Sequence, residues 1–242
     1  MKIIAVIPAR YAATRFPAKL MQMLGNKTVI RHTYENTVAT GLFDDVLVAT
    51  DHELIFNELS SHNGKVVMTR PDHESGSDRI AEAVKDLDVD VIINVQGDEP
   101  FMARQPLEDL ISAFRDPLVR VASLMHTIKD ESQIDNPNIV KVVTDRAGFS
   151  LYFSRSRIPF NRNNESDFTY NRHIGVYGYR KSALLEFVEW PVSPLEQMEK
   201  LEQLRYLENG VRLKMVATDF ISIGIDTPED YLLAKRHLNE GK

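Results

Sequence analysis

Three cations and two carboxylates carry the first hint of chemistry. Arg10, Arg15 and Lys19 lie within ten residues of one loop, Pro8-Ala9-Arg10-Tyr11-Ala12-Ala13-Thr14-Arg15-Phe16-Pro17-Ala18-Lys19, which follows an apolar run. A planar guanidinium matches phosphate oxygens in pairs, and lysine adds a mobile point charge. Such a loop can hold a polyphosphate and offset charge as pyrophosphate leaves, or it can be a solvated basic loop. It is neither G-x-G-x-x-G nor a Walker A sequence, which weakens dinucleotide and P-loop readings.

Asp98, in Asn94-Val95-Gln96-Gly97-Asp98-Glu99-Pro100, directly follows a long apolar run. A carboxylate there suits Mg²⁺, a hard ion that takes a few protein oxygens and leaves the rest of its shell to water and phosphate. It also suits an ordinary turn beside Gly97. Asp226 precedes Thr227-Pro228-Glu229-Asp230, in which Thr227 is the expected N-cap, Pro228 the first helical residue and Asp230 the closing member of a capping box. Capping does not need Asp226, so it is open to ligation. The histidines show neither H-x-H nor H-E-x-x-H spacing, which argues against zinc.

The elements that must position these groups follow from periodicity. Ile3–Ile7, Val46–Ala49, Val66–Met68 and Val89–Val95 are continuous apolar runs, as expected of strands buried on both faces of a parallel sheet. Helical patterns over Val29–Thr40, Glu53–His62 and Asp78–Leu87 separate them, so the first hundred residues read as βαβ units of a doubly wound α/β sheet. In such sheets ligands bind beyond the carboxyl ends of the strands, where both the basic loop and Asp98 fall. Farther on, Val119–Met125 and Ile139–Thr144 read as strands, Asp145-Arg146-Ala147-Gly148 as a turn, and Phe149–Phe153 as the second arm of a hairpin. Residues 154–170 are polar and read as a loop. Ser193-Pro194-Leu195-Glu196 starts a helix whose buried face is expected along Leu195, Met198, Leu201 and Leu204.

The chain has 242 residues, a net charge of −6 and no cysteine. The charge favours neither nucleic acid nor an anionic membrane surface, so a polyanionic ligand needs a local cation cluster. The absence of cysteine removes disulfides and thiol nucleophiles and fits a reducing compartment. No apolar run approaches the roughly 18 residues that span a bilayer, so a cytoplasmic, soluble protein is expected.

In order, the segments PARYxxTRxPxK, DHESGSDR, NVQGDEP, YFSRSRIP, RHIGVYGYR and GIDTPED resemble those of the CMP-Kdo synthetases (3-deoxy-manno-octulosonate cytidylyltransferases) over essentially the whole chain. The resemblance implies a Rossmann-like, doubly wound mixed sheet of the sugar nucleotidyltransferase type, with a β-hairpin insertion in the C-terminal half. With no internal repeat, low-complexity tract or linker, the chain itself reads as a single domain over 1–242, and the resemblance implies that about 135–180 elaborate dimerisation and sugar-acid binding. Arg10, Arg15 and Lys19 match positions that hold the CTP phosphates, and Ser75, Gly76, Ser77 and Arg79 the lining of the nucleotide site. Asp98 and Asp226 match magnesium ligands. Gln96, Arg155, Arg157, His173, Tyr177, Glu202 and Gln203 lie in motifs that contact the sugar acid.

The implied reaction transfers CMP from CTP to the anomeric hydroxyl of Kdo, in a homodimer that uses Mg²⁺ and neither binds nucleic acid nor enters a membrane. Lys19, Arg15, Asp98 and Asp226 would be its catalytic set. Rival readings are a cytidylyltransferase for 8-amino-Kdo or a sialic acid, and an inactive nucleotide-binding regulator; pyrophosphate release over a substrate panel separates them. Two departures fall in the first loop: Ala18 stands where glycine is usual and Leu20 where proline is common. Ser77-Asp78 replaces a frequent Thr-Glu. Alanine resists positive φ, so the path of the loop is an open question. From the residues themselves, His173, Gly175, Tyr177 and Tyr179 share one face of an alternating strand. Arg155 and Arg157 alternate, so an extended chain turns at most one of them to a ligand. Glu202 and Gln203 sit at the margin of the Leu201/Leu204 stripe.

Overall fold

The computed structural model describes residues 1–12, 16–163, 168–220 and 223–240. The chain divides into two compact units, Met1–Leu107 with Ile221–Lys242, and Glu108–Phe220.

In the first unit the expected βαβ rhythm is present. Strand β1 (Ile3–Ala9) leads through a single 3-10 turn (Lys19–Met21) and a small ladder, β2 (Met23–Leu24) with β3 (Lys27–Thr28), into helix α1 (Val29–Ala39). Next come β4 (Asp45–Thr50), α2 (Glu53–Ser60), β5 (Val66–Met68), α3 (Gly76–Val84) and β6 (Val91–Asn94); the boundary with the second unit falls within α4 (Arg104–Ala113), and α8 (Pro228–Asn239) returns to the first unit late in the chain. Strand β1 pairs in parallel with β4 on one side and β6 on the other, and β4 pairs in parallel with β5. The order β6-β1-β4-β5 reverses direction at β1, and the crevice at the carboxyl ends of β1 and β6 is the topological switch point of a doubly wound sheet.

The continuous apolar runs are explained by two-sided burial. Ile4 through Ile7 are at most 2% exposed, and Ile92 and Ile93 are fully covered. Helices α1, α2 and α3 close the sheet with Ile30, Ile55, Leu59, Ile80 and Val84. Each such side chain contributes about 1.5–3 kcal/mol by leaving water.

In the second unit β7 (Val121–Thr127) pairs antiparallel with β10 (Asn171–Arg180) and parallel with β11 (Leu213–Ala217). Strands β8 (Lys141–Thr144) and β9 (Ser150–Ser154) form the expected hairpin, and β8 also pairs with β10. The hairpin turn closes with Gly148 at φ 77°, a left-handed position that glycine adopts without a Cβ clash. Helices α5 (Lys181–Glu189), α6 (Pro194–Glu199) and α7 (Gln203–Glu208) complete the unit.

One expectation fails here. The helix begins at Pro194 as anticipated, but it stops at Glu199, where Lys200 turns left-handed with φ 55°. Met198 is 82% exposed and Leu195 is also exposed, whereas Leu201 and Leu204 are buried. The residue that α6 buries is Glu196, whose carboxylate grips Arg205 of α7 at 2.6 and 2.7 Å. Arg205 also lies 4.1 Å over the Phe187 ring. A buried, bidentate ion pair fixes the two short helices, and the apolar stripe of a single long helix does not form.

Candidate active site

A cleft of about 250 Å³ opens at the switch point, lined by Pro8, Ala9, Arg10, Ala12, Lys19, Leu20, Gly76, Arg79, Gln96, Gly97 and Asp98. Each wall has a local cause. Pro8 and Ala9 end β1, Arg10 to Ala12 continue it, and Gln96–Asp98 continue the β6 run. A Cβ on Gly97 would stand 3.0 Å from the Pro8 carbonyl oxygen, so glycine permits the two strand ends to approach. Helix α3 enters with Ser75 as N-cap and Asp78 completing a capping box. A Cβ on Gly76 would meet the Pro8 ring at 3.4 Å. The N–H groups of this helix start therefore border the cleft, an arrangement suited to phosphate oxygens.

Lys19 is the centre of the site. Its ammonium donates to Asp98 Oδ2 and, at 2.8 Å, to Asp226 Oδ1. Burial works against the charge, but the two carboxylates outweigh it and hold the lysine pKa above the ordinary value. Asp226 reaches this position because the cap is filled by others: Thr227 Oγ1 accepts from the Asp230 N–H, and Asp230 Oδ2 accepts from the backbone of both Asp226 and Thr227. The backbone N–H of Ile225 donates to the Asp98 carbonyl at 2.9 Å, tying the two acidic segments together.

Ala18, the departure from glycine, does adopt the left-handed conformation, with φ 55° and ψ 28°. At this position the alanine takes the backbone conformation that glycine adopts without strain. The cost is steric, roughly 1–2 kcal/mol for an L-residue there.

The fit of this site to Mg²⁺ can be judged from the donors. Two carboxylates from distant segments converge on one positive group, and the lysine ammonium stands in for a cation between them. Among the described residues no group of three or more histidines or acids gathers anywhere. Two carboxylates are what this ion uses when phosphates and water complete its shell. The residues fit.

Of the other expected nucleotide residues, Arg10 is exposed on the cleft rim and donates to the His73 carbonyl at 2.6 Å. Arg15 lies outside the described residues. Ser75 and Ser77 are buried at the start of α3. Arg79 is fully buried in the cleft wall, and its guanidinium reaches Asp51 at 2.8 Å and the Thr69 hydroxyl. Burial lowers its pKa from the ordinary arginine value, against the pull of Asp51. Arg79 Nε and Asp51 Oδ1 are buried with no hydrogen-bond partner among the described residues. Sequence reasoning missed Asp51, although it follows β4 directly, as Asp98 follows the β6 run, and the strand-end rule would have found it.

Several of the expected sugar-acid residues assemble in the second unit. His173 Nε2 lies 2.8 Å from Ser123 Oγ, the Gln203 amide nitrogen lies 3.4 Å from His173 Nδ1, and the Tyr177 hydroxyl donates to Gln203 Oε1 at 3.2 Å. The His173 and Tyr177 rings are 5.3 Å apart, on one face as the alternation required. The ring of His173 keeps some accessible surface but lies deep among its neighbours, and burial pushes its pKa down to about 3. Burial, with Tyr179 and Glu202 nearby, raises that of Tyr177 well above the usual tyrosine value.

The remaining four are placed differently. Arg155 donates to the carbonyls of Glu199, Pro137 and Lys200. Arg157 pairs with Asp135 at 2.7 and 2.9 Å. Neither is joined to His173 in the hydrogen bonds just described. Glu202 is exposed at the start of α7. Gln96, in the first unit, lines the cleft and donates to Asn94 Oδ1 at 3.2 Å.

Comparison with known proteins bears on the family and the fold. A family described as Cytidylyltransferase matches residues 4–215. The 3-deoxy-manno-octulosonate cytidylyltransferase of Flavobacterium johnsoniae is 58% identical over 99% of this chain and 100% of its own length. That of Christiangramia forsetii is 49% identical over 98% and 97%. A solved CMP:2-keto-3-deoxy-manno-octonic acid synthetase complexed with CTP superposes with a TM-score of 0.95 at 36% identity, covering both chains completely. A 4-diphosphocytidyl-2C-methyl-D-erythritol synthase from Anaerococcus prevotii, at 18% identity and a TM-score of 0.65 over 98% of each chain, shares the fold. With the switch-point cleft, the lysine between two carboxylates and full-length relatives in agreement, the chain belongs to the cytidylyltransferase family, among the 3-deoxy-manno-octulosonate cytidylyltransferases.

Proposed function

We propose that this enzyme transfers CMP from CTP to the anomeric hydroxyl of 3-deoxy-D-manno-octulosonate, releasing pyrophosphate, as a cytoplasmic step toward lipopolysaccharide. The observation that carries the site assignment is the convergence of Lys19, Asp98 and Asp226 at the carboxyl edge of β1 and β6. In this reading Arg10, Arg15, Lys19 and the start of α3 bind the triphosphate, and Asp98 and Asp226 hold Mg²⁺. Bound there, the ion supplies charge neutralisation at the α-phosphate and acidifies the attacking hydroxyl. Lys19 and the arginines stabilise charge as pyrophosphate departs, and positioning supplies most of the rate. His173, Tyr177 and Gln203 bind and orient the sugar acid, with Gln96, Arg155, Arg157 and Glu202 as further contacts carried over from the family motifs.

A pyrophosphate-release assay that crosses four nucleoside triphosphates with several sugar acids, with and without Mg²⁺, tests the whole reading. CTP with Kdo and Mg²⁺ is the expected productive combination. Asp98→Asn and Asp226→Asn should each lower kcat by about 10²-fold or more, as expected when an electrostatic stabiliser is removed. Near-normal turnover in both refutes the metal assignment. Preference for an 8-amino analogue or a sialic acid refutes the choice of substrate. The homodimer suggested by family resemblance would use the β8–β9 hairpin, where Leu151 is 58% exposed; sedimentation of a Leu151→Glu chain as a monomer is the expected result.

A further inference from the structure

Strand β7 is apolar through Val121-Ala122-Ser123-Leu124-Met125 except at Ser123, which is fully buried. A buried hydroxyl is costly unless its hydrogen-bonding capacity is used. Ser123 Oγ has three neighbours: the Val176 carbonyl at 2.8 Å, the Ile174 carbonyl at 3.1 Å, and His173 Nε2 at 2.8 Å. The register of β10 against β7 shifts between Ile174 and Tyr177. That irregularity accompanies two carbonyls, two residues apart, on a single hydroxyl. Bulges commonly re-aim groups in this way.

Counting protons then leaves one arrangement. A hydroxyl owns one hydrogen, and carbonyl oxygens only accept. The Ser123 hydrogen therefore goes to the carbonyls, and toward His173 the serine oxygen can only accept. The imidazole must carry its proton on Nε2. On the opposite side, Gln203 Oε1 accepts from the Tyr177 hydroxyl, which turns the amide nitrogen, a pure donor, toward His173 Nδ1. Nδ1 must be bare.

We infer that Ser123 is a positioning residue, which takes the Nε2–H of His173 and so fixes the ring as a neutral tautomer presenting Nδ1 as a lone-pair acceptor beside Tyr177 and Gln203. The Gln203 contact at Nδ1 is long, 3.4 Å, and a ligand hydroxyl can replace it. His173 then accepts a hydrogen bond from a polyhydroxylated substrate and shuttles no proton. The consequence for substrate rests on the proposal that His173 meets the sugar acid; the tautomer does not.

Imidazole ¹⁵N spectra of the full-length protein test the tautomer directly. The expected wild-type His173 signature is a protonated Nε2 and an unprotonated Nδ1. In Ser123→Ala the signature should shift toward Nδ1–H or an averaged mixture. KM for the sugar acid should rise about 10-fold, the scale of one hydrogen bond, while KM for CTP stays within about twofold. Ser123→Thr, which keeps the hydroxyl, should restore both. A wild-type ring protonated on Nδ1, or a Ser123→Ala ring with an unchanged signature, overturns the inference without any reliance on activity. An unchanged KM for the sugar acid in His173→Gln overturns the sugar-acid reading instead, and the spectra still judge Ser123.

Discussion

Replacing Lys19 by methionine keeps an unbranched side chain one atom shorter and removes its charge together with the donors that hold Asp98 and Asp226. The ammonium bridges Asp98 and Asp226, so the two carboxylate oxygens stand within two hydrogen-bond lengths, about 5–6 Å, of each other. At an effective dielectric of about 20, two negative charges about 5 Å apart repel by about 3 kcal/mol. Asp226 is 49% exposed and Asp98 23%, so water and salt screen part of this, leaving about 1–2 kcal/mol. Lys19→Met should therefore melt about 3–6 °C below the parent chain at low ionic strength. Millimolar Mg²⁺ should recover most of the loss, because the cation replaces the missing charge. The wild-type midpoint should respond less to Mg²⁺ without nucleotide, since its own ammonium already lies between the carboxylates and offsets half of their charge. Thermal melts of both chains with and without Mg²⁺ decide the matter, with Lys19→Met/Asp98→Asn as a control that should have no Mg²⁺ response. If Lys19→Met is as stable as wild type in low salt, or if the control responds to Mg²⁺ as fully, the reasoning fails.

Other consequences can be measured by simple means. Ala18→Gly removes the left-handed strain at φ 55° but loosens the unfolded chain, for a net gain of about 0.5–1 kcal/mol by urea denaturation; a loss would show that the alanine methyl packs favourably. Gly97→Ala should cost about 1–3 kcal/mol, because its Cβ would press the Pro8 carbonyl at 3.0 Å, and unchanged stability would mean the strand ends relax apart. Glu196→Ala should cost about 3–5 kcal/mol by leaving Arg205 buried without its carboxylate, as read by the denaturation midpoint. His173, held at about 3 against 6.5 when unfolded, binds its proton more readily in the unfolded chain. Its contribution to stability thus falls as pH drops from about 6.5 toward 3, and at pH 5 the penalty is at most about 2 kcal/mol. His173→Gln should flatten that acid limb, and an unchanged limb would place the histidine pKa nearer its ordinary value.

What could be read in the sequence follows from how local each cause is. Strands β1, β4 and β6 were legible because two-sided burial demands an uninterrupted apolar run, and Thr227 because a capping box is contained in four residues. Asp226 followed by elimination once the cap was assigned. The break after Glu199 was not legible: it depends on Glu196 meeting Arg205, and the i, i+3 spacing of Leu195 and Met198 looks the same whether or not that pair forms. Arg155 and Arg157 show the same limit, since a guanidinium suited to a ligand is equally suited to a row of carbonyls or an aspartate. Ser123 escaped notice because its role rests on an irregularity in a strand fifty residues away.

The span between the bridged groups has a bearing on biosynthesis. Lys19 and Asp226 are 207 positions apart, and the first compact unit is itself assembled from an early segment and a late one. A nascent chain extended to residue 220 already carries Lys19, Arg10, the start of α3 and Asp98, yet its lysine has one carboxylate where the finished protein has two. The β6-β1-β4-β5 framework can form during translation, whereas closure of the Lys19–Asp98–Asp226 cluster must wait until Gly224-Ile225-Asp226 leaves the ribosome. Premature termination before that point yields a chain with most of its core and Lys19 facing Asp98 alone.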